Sequence, residues 1–256
     1  MRPRPTSRWC ANSRPASLDP GVASGAGTPA PSAGPGRARG CGPGARRQAA
    51  VSAGDDDLYD DWLELTEAVI HSRRHRSAKR LNEPGPSADE LARIVAAASA
   101  APDHGRITPW RFMLIPAAAR QALGELFARA LLERDPKADA GAVATARQKA
   151  DRGAVLMLAL ARVDAGESTV PARERLFSLG CAVQNMLLTA HAMGYGTGLL
   201  SGKAMDSDAL AQGLSLAEGE QPVCFIVIGT PNSDPKPQGR PSPADYYSVW
   251  PGVSLD

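Results

Sequence analysis

The chain has 256 residues and a formal net charge of +2, from 29 lysines and arginines against 27 aspartates and glutamates. This near balance argues against a dedicated nucleic-acid-binding protein, which is usually far more basic. The four cysteines form no Cys-x-x-Cys pair, which favours a reducing, cytoplasmic setting over a disulfide framework and gives no sign of a metal site. No apolar run approaches the roughly 18 to 20 residues of a membrane span, so we expect no membrane partner.

The first 57 residues differ in composition from the rest of the chain. They are rich in Pro, Gly, Ala, Ser and Arg and show no apolar period, as in the run from Gly25 to Gly36. Ordering such a segment costs more conformational entropy than its burial can offset. We therefore predict a disordered, low-complexity extension over residues 1–57 and a single domain over residues 58–256, which is long enough to bury one core.

The first half of the domain is predicted to hold two helices and a strand. Ser87 and Glu90 form a capping-box sequence, in which the serine hydroxyl accepts from the Glu90 amide at the start of a helix. Apolar residues at helical spacing precede this turn, and a short apolar run that ends before Pro116 follows it. The predicted elements are a helix over residues 58–72, a helix over 87–101 and a strand over 110–115.

The second half continues the alternation of helices and strands. The run from Val155 to Ala161 is continuously apolar, which predicts a central strand buried on both faces. Gly194 is suited to end a long helix, and we expect a glycine-rich linker over residues 194–198. The remaining predictions are helices over about 117–133, 141–151, 173–193 and 206–213, a strand over 223–228 and an extended tail from residue 232. The pattern indicates a layered α+β or α/β domain.

A basic segment follows the first predicted helix. Five cationic residues lie between Arg73 and Lys79, and Arg80 follows them. Such a cluster either holds an anion in a fixed pocket or forms a basic surface that faces solvent or nucleic acid. The segments downstream favour a bound phosphate, while a solvated basic face stays open as the alternative.

Five short segments then occur in a characteristic order. They are RSxxRL from Arg76, APDH from Ala101, PWRF from Pro109, GYG from Gly194 leading to Ser201 and Gly202, and FIVIGTP from Phe225. Together they resemble the FMN-dependent nitroreductase family, and most of all its YdjA-like branch, over about residues 60–250 of the chain.

The resemblance implies a fold, a cofactor and a reaction. It implies an α+β fold whose mixed central sheet is flanked by helices, in a homodimer with FMN at the subunit interface. It further implies a hydride donor, NADH or NADPH, and ping-pong transfer through flavin N5 to a nitroaromatic, a quinone or a similar small-molecule acceptor. No catalytic side chain is expected, because flavin N5 is the reactive centre.

The resemblance also implies which residues contact the cofactor. At the phosphate, ribityl and pyrimidine end these are His75, Arg76, Ser77 and Lys79, with Arg240 as a further phosphate candidate. At the ring end these are Pro109, Trp110, Leu199, Leu200, Ser201 and Gly202. His104 is placed near the phosphate or the ring edge, contributed within the chain or across the dimer. Arginine suits a phosphate because its planar fork donates two charge-assisted hydrogen bonds, and glycine lets backbone approach a ligand closely. Asp103 is expected to cap backbone amides.

The chain departs from the family pattern at three places. His75 stands where many members have arginine, Thr108 where many have glutamine or asparagine, and Leu200 where YdjA-like members often have arginine. The predicted site therefore holds fewer permanent charges. Two alternatives remain: the same fold with different flavin chemistry, such as flavin fragmentation or reductive dehalogenation, and a non-catalytic protein that binds anions or nucleic acid.

Overall fold

A computed structural model describes residues 53–164, 169–234 and 239–250, with side chains described from residue 59 onward. The predicted disorder of the N-terminal extension lies almost entirely outside the described residues and stays a prediction. The first helix begins at Ala53, before the expected start at Leu58.

Helices and strands alternate through most of the described chain. The helices are α1 (Ala53–Ser72), α2 (Ala88–Ala96), α3 (Arg120–Arg134), α4 (Ala140–Arg147), α5 (Ala172–Ala192) and α6 (Asp208–Gly213). The strands are β1 (Leu81–Asn82), β2 (Trp110–Leu114), β3 (Val155–Arg162), β4 (Gly196–Leu200) and β5 (Glu220–Pro231). Short 3-10 turns join several of them, among them residues 78–80, 148–151 and 203–206.

Local sequence signals set several helix ends. At the start of α2, Ser87 accepts from the Glu90 amide while the Glu90 carboxylate accepts from the Ser87 amide, so the predicted capping box is confirmed. The Asp139 carboxylate caps α4 by accepting from the Ala142 amide. Gly194 has a φ of 91°, the left-handed conformation that commonly follows the end of a helix.

The five strands form one sheet. Its order is β1-β5-β3-β2, and β4 pairs with β5 on the same side as β1. All four ladders between these strands are antiparallel, and the described residues include one parallel bridge, between His75 and Thr197. The resemblance implied a mixed sheet, and among the described residues this bridge is the one parallel pairing.

The core is divided between the two faces of the sheet. Along β3, Met157, Ala159 and Ala161 pack into one cluster with α2 and α5, whereas Leu156 and Leu158 pack into a second cluster with α3 and α6. Side chains of successive strand residues point to opposite faces, so the continuous apolar run is explained by burial on both. Helices flank an essentially antiparallel sheet, which confirms the predicted α+β class.

The expected glycine-rich linker is wrong. Gly196 and Gly198 lie inside strand β4, which pairs with β5 from Gly196 opposite Gly229 to Leu200 opposite Phe225. Glycine disfavours strands because it has no side chain to pack, and only the neighbouring chain explains its presence here. Strand β5 is also longer than predicted.

None of the described helices combines the length and the apolar character needed to cross a membrane.

Candidate active site

The fold brings the basic segment against strand β4. The Arg76 amide donates to the Thr197 carbonyl over 2.8 Å, within the parallel bridge of His75 and Thr197. A Cβ on Gly198 would lie 2.3 Å from the Arg76 carbonyl oxygen, so only glycine permits this approach. Two predicted groups of site residues, far apart in sequence, are therefore adjacent: His75 to Ser77, and Leu199 to Gly202.

Polar side chains of the basic segment are accessible. His75, Ser77 and Lys79 are exposed and Arg76 is half-buried. Ser77 precedes the 3-10 turn of residues 78–80 without a side-chain cap to it. Nη1 of Arg76 donates to the Ser233 carbonyl over 2.7 Å, which holds the guanidinium at the segment that follows β5. The segment presents hydroxyl, imidazole and cationic donors of the kind that an anion accepts from.

Cations crowd the end of α1, where the basic segment begins. Partial burial lowers the pKa of Arg73, and the charges of Arg240 and Arg74 lower it further. Burial also lowers the pKa of His191, with further lowering by Arg73 and Arg76. All the charged neighbours that lower these two pKa values are cations. The positive charge collected at the end of α1 therefore suits a phosphate dianion.

Arg240 lies at the same place but has a structural contact. Its Nη2 is 2.9 Å from the Arg73 carbonyl oxygen and 3.1 Å from that of His71, at the carboxyl end of α1. A guanidinium there satisfies carbonyls that the helix leaves unpaired and complements the helix dipole. Binding of a phosphate by Arg240 stays a prediction.

Lys79 lies in a surface cleft that begins at the 3-10 turn of residues 78–80. The cleft, of about 520 Å³, also contains Glu83, Asp151 and Arg152. Arg152 in turn lines a second cavity, of about 480 Å³, whose wall includes Leu200, Ser201 and Gly202. The cleft and the cavity therefore have one lining residue in common, Arg152.

The segment after β4 is open on one side. The Ser201 hydroxyl donates to the Val223 carbonyl over 3.0 Å, which ties the segment to the start of β5. Gly202 is exposed and extended, with a φ of 166°, and a Cβ built on it would have no described atom within 4 Å. Leu200 is half-buried and packs against the second core cluster.

The third predicted group lies elsewhere in the chain. Trp110 is opposite Ala161 in the β2–β3 ladder, and β2 is separated from β4 by β3 and β5. At about 4.8 Å per strand this is a separation of about 14 Å across the sheet. Pro109 and Trp110 are buried, while His104 is exposed with its Nδ1 2.7 Å from a Glu174 carboxylate oxygen. Within one chain, these three residues are not brought to the other two groups.

The loop before Trp110 is conformationally unusual, a feature that the sequence did not reveal. Arg106 and Thr108 have φ values of 53° and 44°, a left-handed conformation that costs non-glycine residues about 1–3 kcal/mol each. The Asp103 carboxylate accepts from the amides of Ile107 and Thr108, over 3.1 and 2.8 Å. The expected capping role of Asp103 is confirmed, and it holds this loop in place.

A partly buried ion pair joins β2 to the start of β5. The Glu220 carboxylate accepts from Nε and Nη2 of Arg111 over 2.7 and 2.5 Å and also accepts from the Ala217 amide. Its side chain is 5% exposed. Hydrogen bonds from Arg111 lower the pKa of Glu220 to about 2. No sequence signal pairs two residues so far apart, and only the strand register does.

The described residues contain no group of three or more histidine, cysteine or acidic side chains placed to hold a metal. His71 and His75 are four residues apart, but α1 ends between them at Ser72, so they do not share a helix face.

Comparison with known proteins identifies the family. The sequence model of the Nitroreductase family matches residues 72–230. The chain belongs to the nitroreductase family, a family of oxidoreductases.

Particular relatives agree with this assignment. The chain is 31% identical over 155 residues to a "Putative NAD(P)H nitroreductase" of Haemophilus influenzae, covering 60% of this chain and 83% of the relative. It is also 31% identical over 156 residues to the "Putative NAD(P)H nitroreductase YdjA" of Escherichia coli K12, covering 61% and 84%. A 5,6-dimethylbenzimidazole synthase of Rhodospirillum rubrum is 27% identical over 193 residues, covering 70% and 86%.

Solved structures agree on the fold. A nitroreductase-like family protein from Bacillus cereus superimposes with a TM-score of 0.61 at 20% identity, covering 72% of this chain and 95% of that one. The NfrA1 nitroreductase of Bacillus subtilis superimposes with a TM-score of 0.55 at 15% identity, covering 72% and 73%. The predicted fold and the predicted YdjA-like branch are both confirmed.

Proposed function

We propose that the protein is an FMN-dependent NAD(P)H oxidoreductase that reduces nitroaromatic, quinone or similar small-molecule acceptors by ping-pong turnover. The observation that carries the proposal is the contact between the basic segment and β4. It joins cationic and hydroxyl donors at His75, Arg76 and Ser77 to the open backbone from Leu199 to Gly202. One elongated ligand with an anionic end could contact both groups, and FMN has this form.

Each group of residues has its own part in the proposal. Arg76 and Ser77 bind the phosphate and ribityl groups, and Lys79 supplies a cation at the pyrimidine edge. The backbone of Ser201 and Gly202 lies against the flavin ring. Bound FMN would supply the chemistry by accepting a hydride at N5 and delivering it onward. The net reaction for a nitro compound consumes one NAD(P)H and one proton and yields the nitroso compound, water and NAD(P)⁺.

We also propose that the protein acts as a homodimer. Phe177 on α5 is 67% exposed, and Trp250 near the carboxyl end is 77% exposed. Leu176, next to Phe177 on α5, is 41% exposed, and contiguous exposed apolar surface is typical of a face that a partner covers. A second copy is the proposed partner, because the ring-end residues His104, Pro109 and Trp110 are remote from β4 within one chain.

The free thiols of Cys181 and Cys224 support the proposed cytoplasmic location.

The oligomeric state is measured by light scattering on the purified full chain. We expect the mass of a dimer, and Phe177→Asp should shift the protein towards the monomer with loss of bound flavin. A monomeric wild-type protein that retains flavin would contradict the dimer.

The function is tested by purifying the protein, recording its absorbance spectrum and titrating it anaerobically with NADH and NADPH. We expect a yellow protein with an oxidised flavin spectrum that bleaches on addition of at least one of the two donors. The colour should return on addition of a nitroaromatic or a quinone. A colourless protein that FMN cannot reconstitute would refute the proposal.

The likeness to the Rhodospirillum rubrum synthase supports a second candidate, in which the same fold fragments a flavin. The two candidates differ in their products. After aerobic incubation with reduced FMN, fragmentation would release 5,6-dimethylbenzimidazole, whereas the first proposal expects intact flavin and a reduced acceptor.

A further inference from the structure

The cavity beside Ser201 and Gly202 extends beyond these residues to α3 and α4. It lies between α3, α4, the 148–151 turn and the 203–206 turn, and it is called here the α3–β4 cavity. Its volume is about 480 Å³, within the range of about 300–1,000 Å³ that is usual for small-molecule sites. It therefore has room for a ligand of its own.

The floor of the α3–β4 cavity is apolar and belongs to the core. Phe127 and Phe225 contribute to it and pack edge-to-face, with ring centroids 5.5 Å apart and an angle of 79° between the rings. Leu156, also in the floor, is 1% exposed. Side chains fixed by core packing form the floor without a ligand, so it is suited to the apolar body of a ligand.

The rim of the cavity is cationic. Three segments contribute four cations, namely Arg134 from α3, Lys149 and Arg152 from the 148–151 turn and its end, and Lys203 from the 203–206 turn, and the lining includes no aspartate or glutamate. Within the described part of the chain, none of the four has a carboxylate oxygen within 4.0 Å. Arg152 also lines the Lys79 cleft, which contains Glu83 and Asp151, so the cavity's positive potential rests mainly on the other three.

We propose that the α3–β4 cavity binds a small organic anion with an apolar body, such as an aromatic carboxylate, phosphate or sulfonate. The apolar part contacts the phenylalanine floor, and the anionic group is held by Arg134 and Lys149. One part of the proposal rests on the proposed function. The ligand is the electron acceptor, because Ser201 and Gly202, which are proposed to contact the flavin ring, also line this cavity. The preferred acceptors are then anionic rather than neutral.

The probes that test this are para-nitrobenzoate and its neutral isostere para-nitrobenzamide. Binding of each to the purified full chain is measured by calorimetry, without a hydride donor. The two cations together predict about tenfold tighter binding of the benzoate than of the amide, which corresponds to about 1.4 kcal/mol. The double variant Arg134→Gln/Lys149→Gln should remove this preference and leave the affinity for the amide unchanged.

A matched control is Arg129→Gln, which removes an exposed arginine of α3 that does not line the cavity. It should leave the preference intact. Thr145→Phe, which fills the cavity from α4, should weaken binding of both probes; circular dichroism checks the fold of every variant. Equal binding of the two probes, or a preference that the double variant retains, would overturn the proposal.

The binding test and the flavin test can fail independently. A colourless protein that binds the benzoate through Arg134 and Lys149 retains the cavity site and loses the proposed function. A yellow, active protein that binds both probes equally retains the function and loses the cavity site. Enzyme kinetics test whether the ligand is the electron acceptor. The double variant should raise KM for the benzoate about tenfold without changing kcat, and an unchanged KM would refute this part of the proposal.

Discussion

At the scale of single residues, the candidate site is defined by which cations are fixed and which are accessible. Arg76 is tied to β4 through its amide and to the Ser233 carbonyl through its guanidinium. Arg240 is engaged with the end of α1. His75 is exposed. A guanidinium carries a permanent charge and can donate two parallel hydrogen bonds to a phosphate, whereas an imidazole does neither.

His75→Arg is therefore expected to tighten FMN binding. The gain is about 0.2–1 kcal/mol, the usual value of an exposed ion pair. Quenching of flavin fluorescence on binding measures the affinity. His71→Arg, which adds the same charge in the last turn of α1, serves as the control. An equal gain in both variants would show a general charge effect rather than a role for His75.

At the scale of elements, strand β4 shows why local propensity failed. Its glycines predict a linker, yet the segment is a strand because β5 offers a ladder. Glycine is required there because β1 and the basic segment leave no room for a Cβ. A Cβ on Gly196 would lie 2.6 Å from Cδ2 of Leu81, and one on Gly198 would meet the Arg76 carbonyl. The helices, by contrast, follow from local signals such as the Ser87 capping box.

Gly198 and Gly202 provide a matched pair of substitutions. Gly198→Ala should destabilise the fold by about 1–3 kcal/mol, the usual cost of overpacking, and should weaken FMN binding by displacing the basic segment. Gly202→Ala should leave stability unchanged, because its backbone is extended and a Cβ there has no described atom within 4 Å. It should still weaken FMN binding if the ring lies against it. Urea denaturation and flavin titration separate these effects, and a Gly202→Ala variant with unaltered FMN affinity would contradict the ring position.

At the scale of the whole molecule, the sheet is held by two core faces and by the ion pair at one end. Glu220 lies at the start of β5 and joins it to β2 through Arg111, across the intervening strand β3. Its pKa of about 2 lies below the ordinary 4.5. The charged carboxylate thus stabilises the fold above about pH 4.5, and this contribution is lost as the pH falls towards 2.

Glu220→Gln should lower the free energy of unfolding at pH 7 by about 1.5–3 kcal/mol, the range for hydrogen bonds to a charged group. The difference from wild type should shrink as the pH falls from 4.5 towards 2, and urea titrations at pH 7 and pH 3 measure it. The control is Glu125→Gln, because Glu125 pairs with Arg147 while both side chains are about half exposed, at 52% and 48%. That variant should lose about 0–1 kcal/mol, and equal losses would contradict the importance of burial at Glu220.

Much of this molecule could be predicted from the sequence alone. The apolar run of β3, the helix periods and the capping box are local patterns, and each gave the right element. The family could be predicted from five short segments in a fixed order, because each segment is recognised from its own residues alone. These signals predicted the fold class. They also predicted that His75 to Ser77 and Leu199 to Gly202 belong to one site.

Only the tertiary structure decided how these parts meet. The contact between Arg76 and Thr197 and the pair of Arg111 and Glu220 depend on strand order and register, which no local pattern encodes. The same register separates Trp110 from β4 within one chain. The α3–β4 cavity has no sequence signature, because its floor and its rim come from segments that approach one another only after both faces of the sheet are packed.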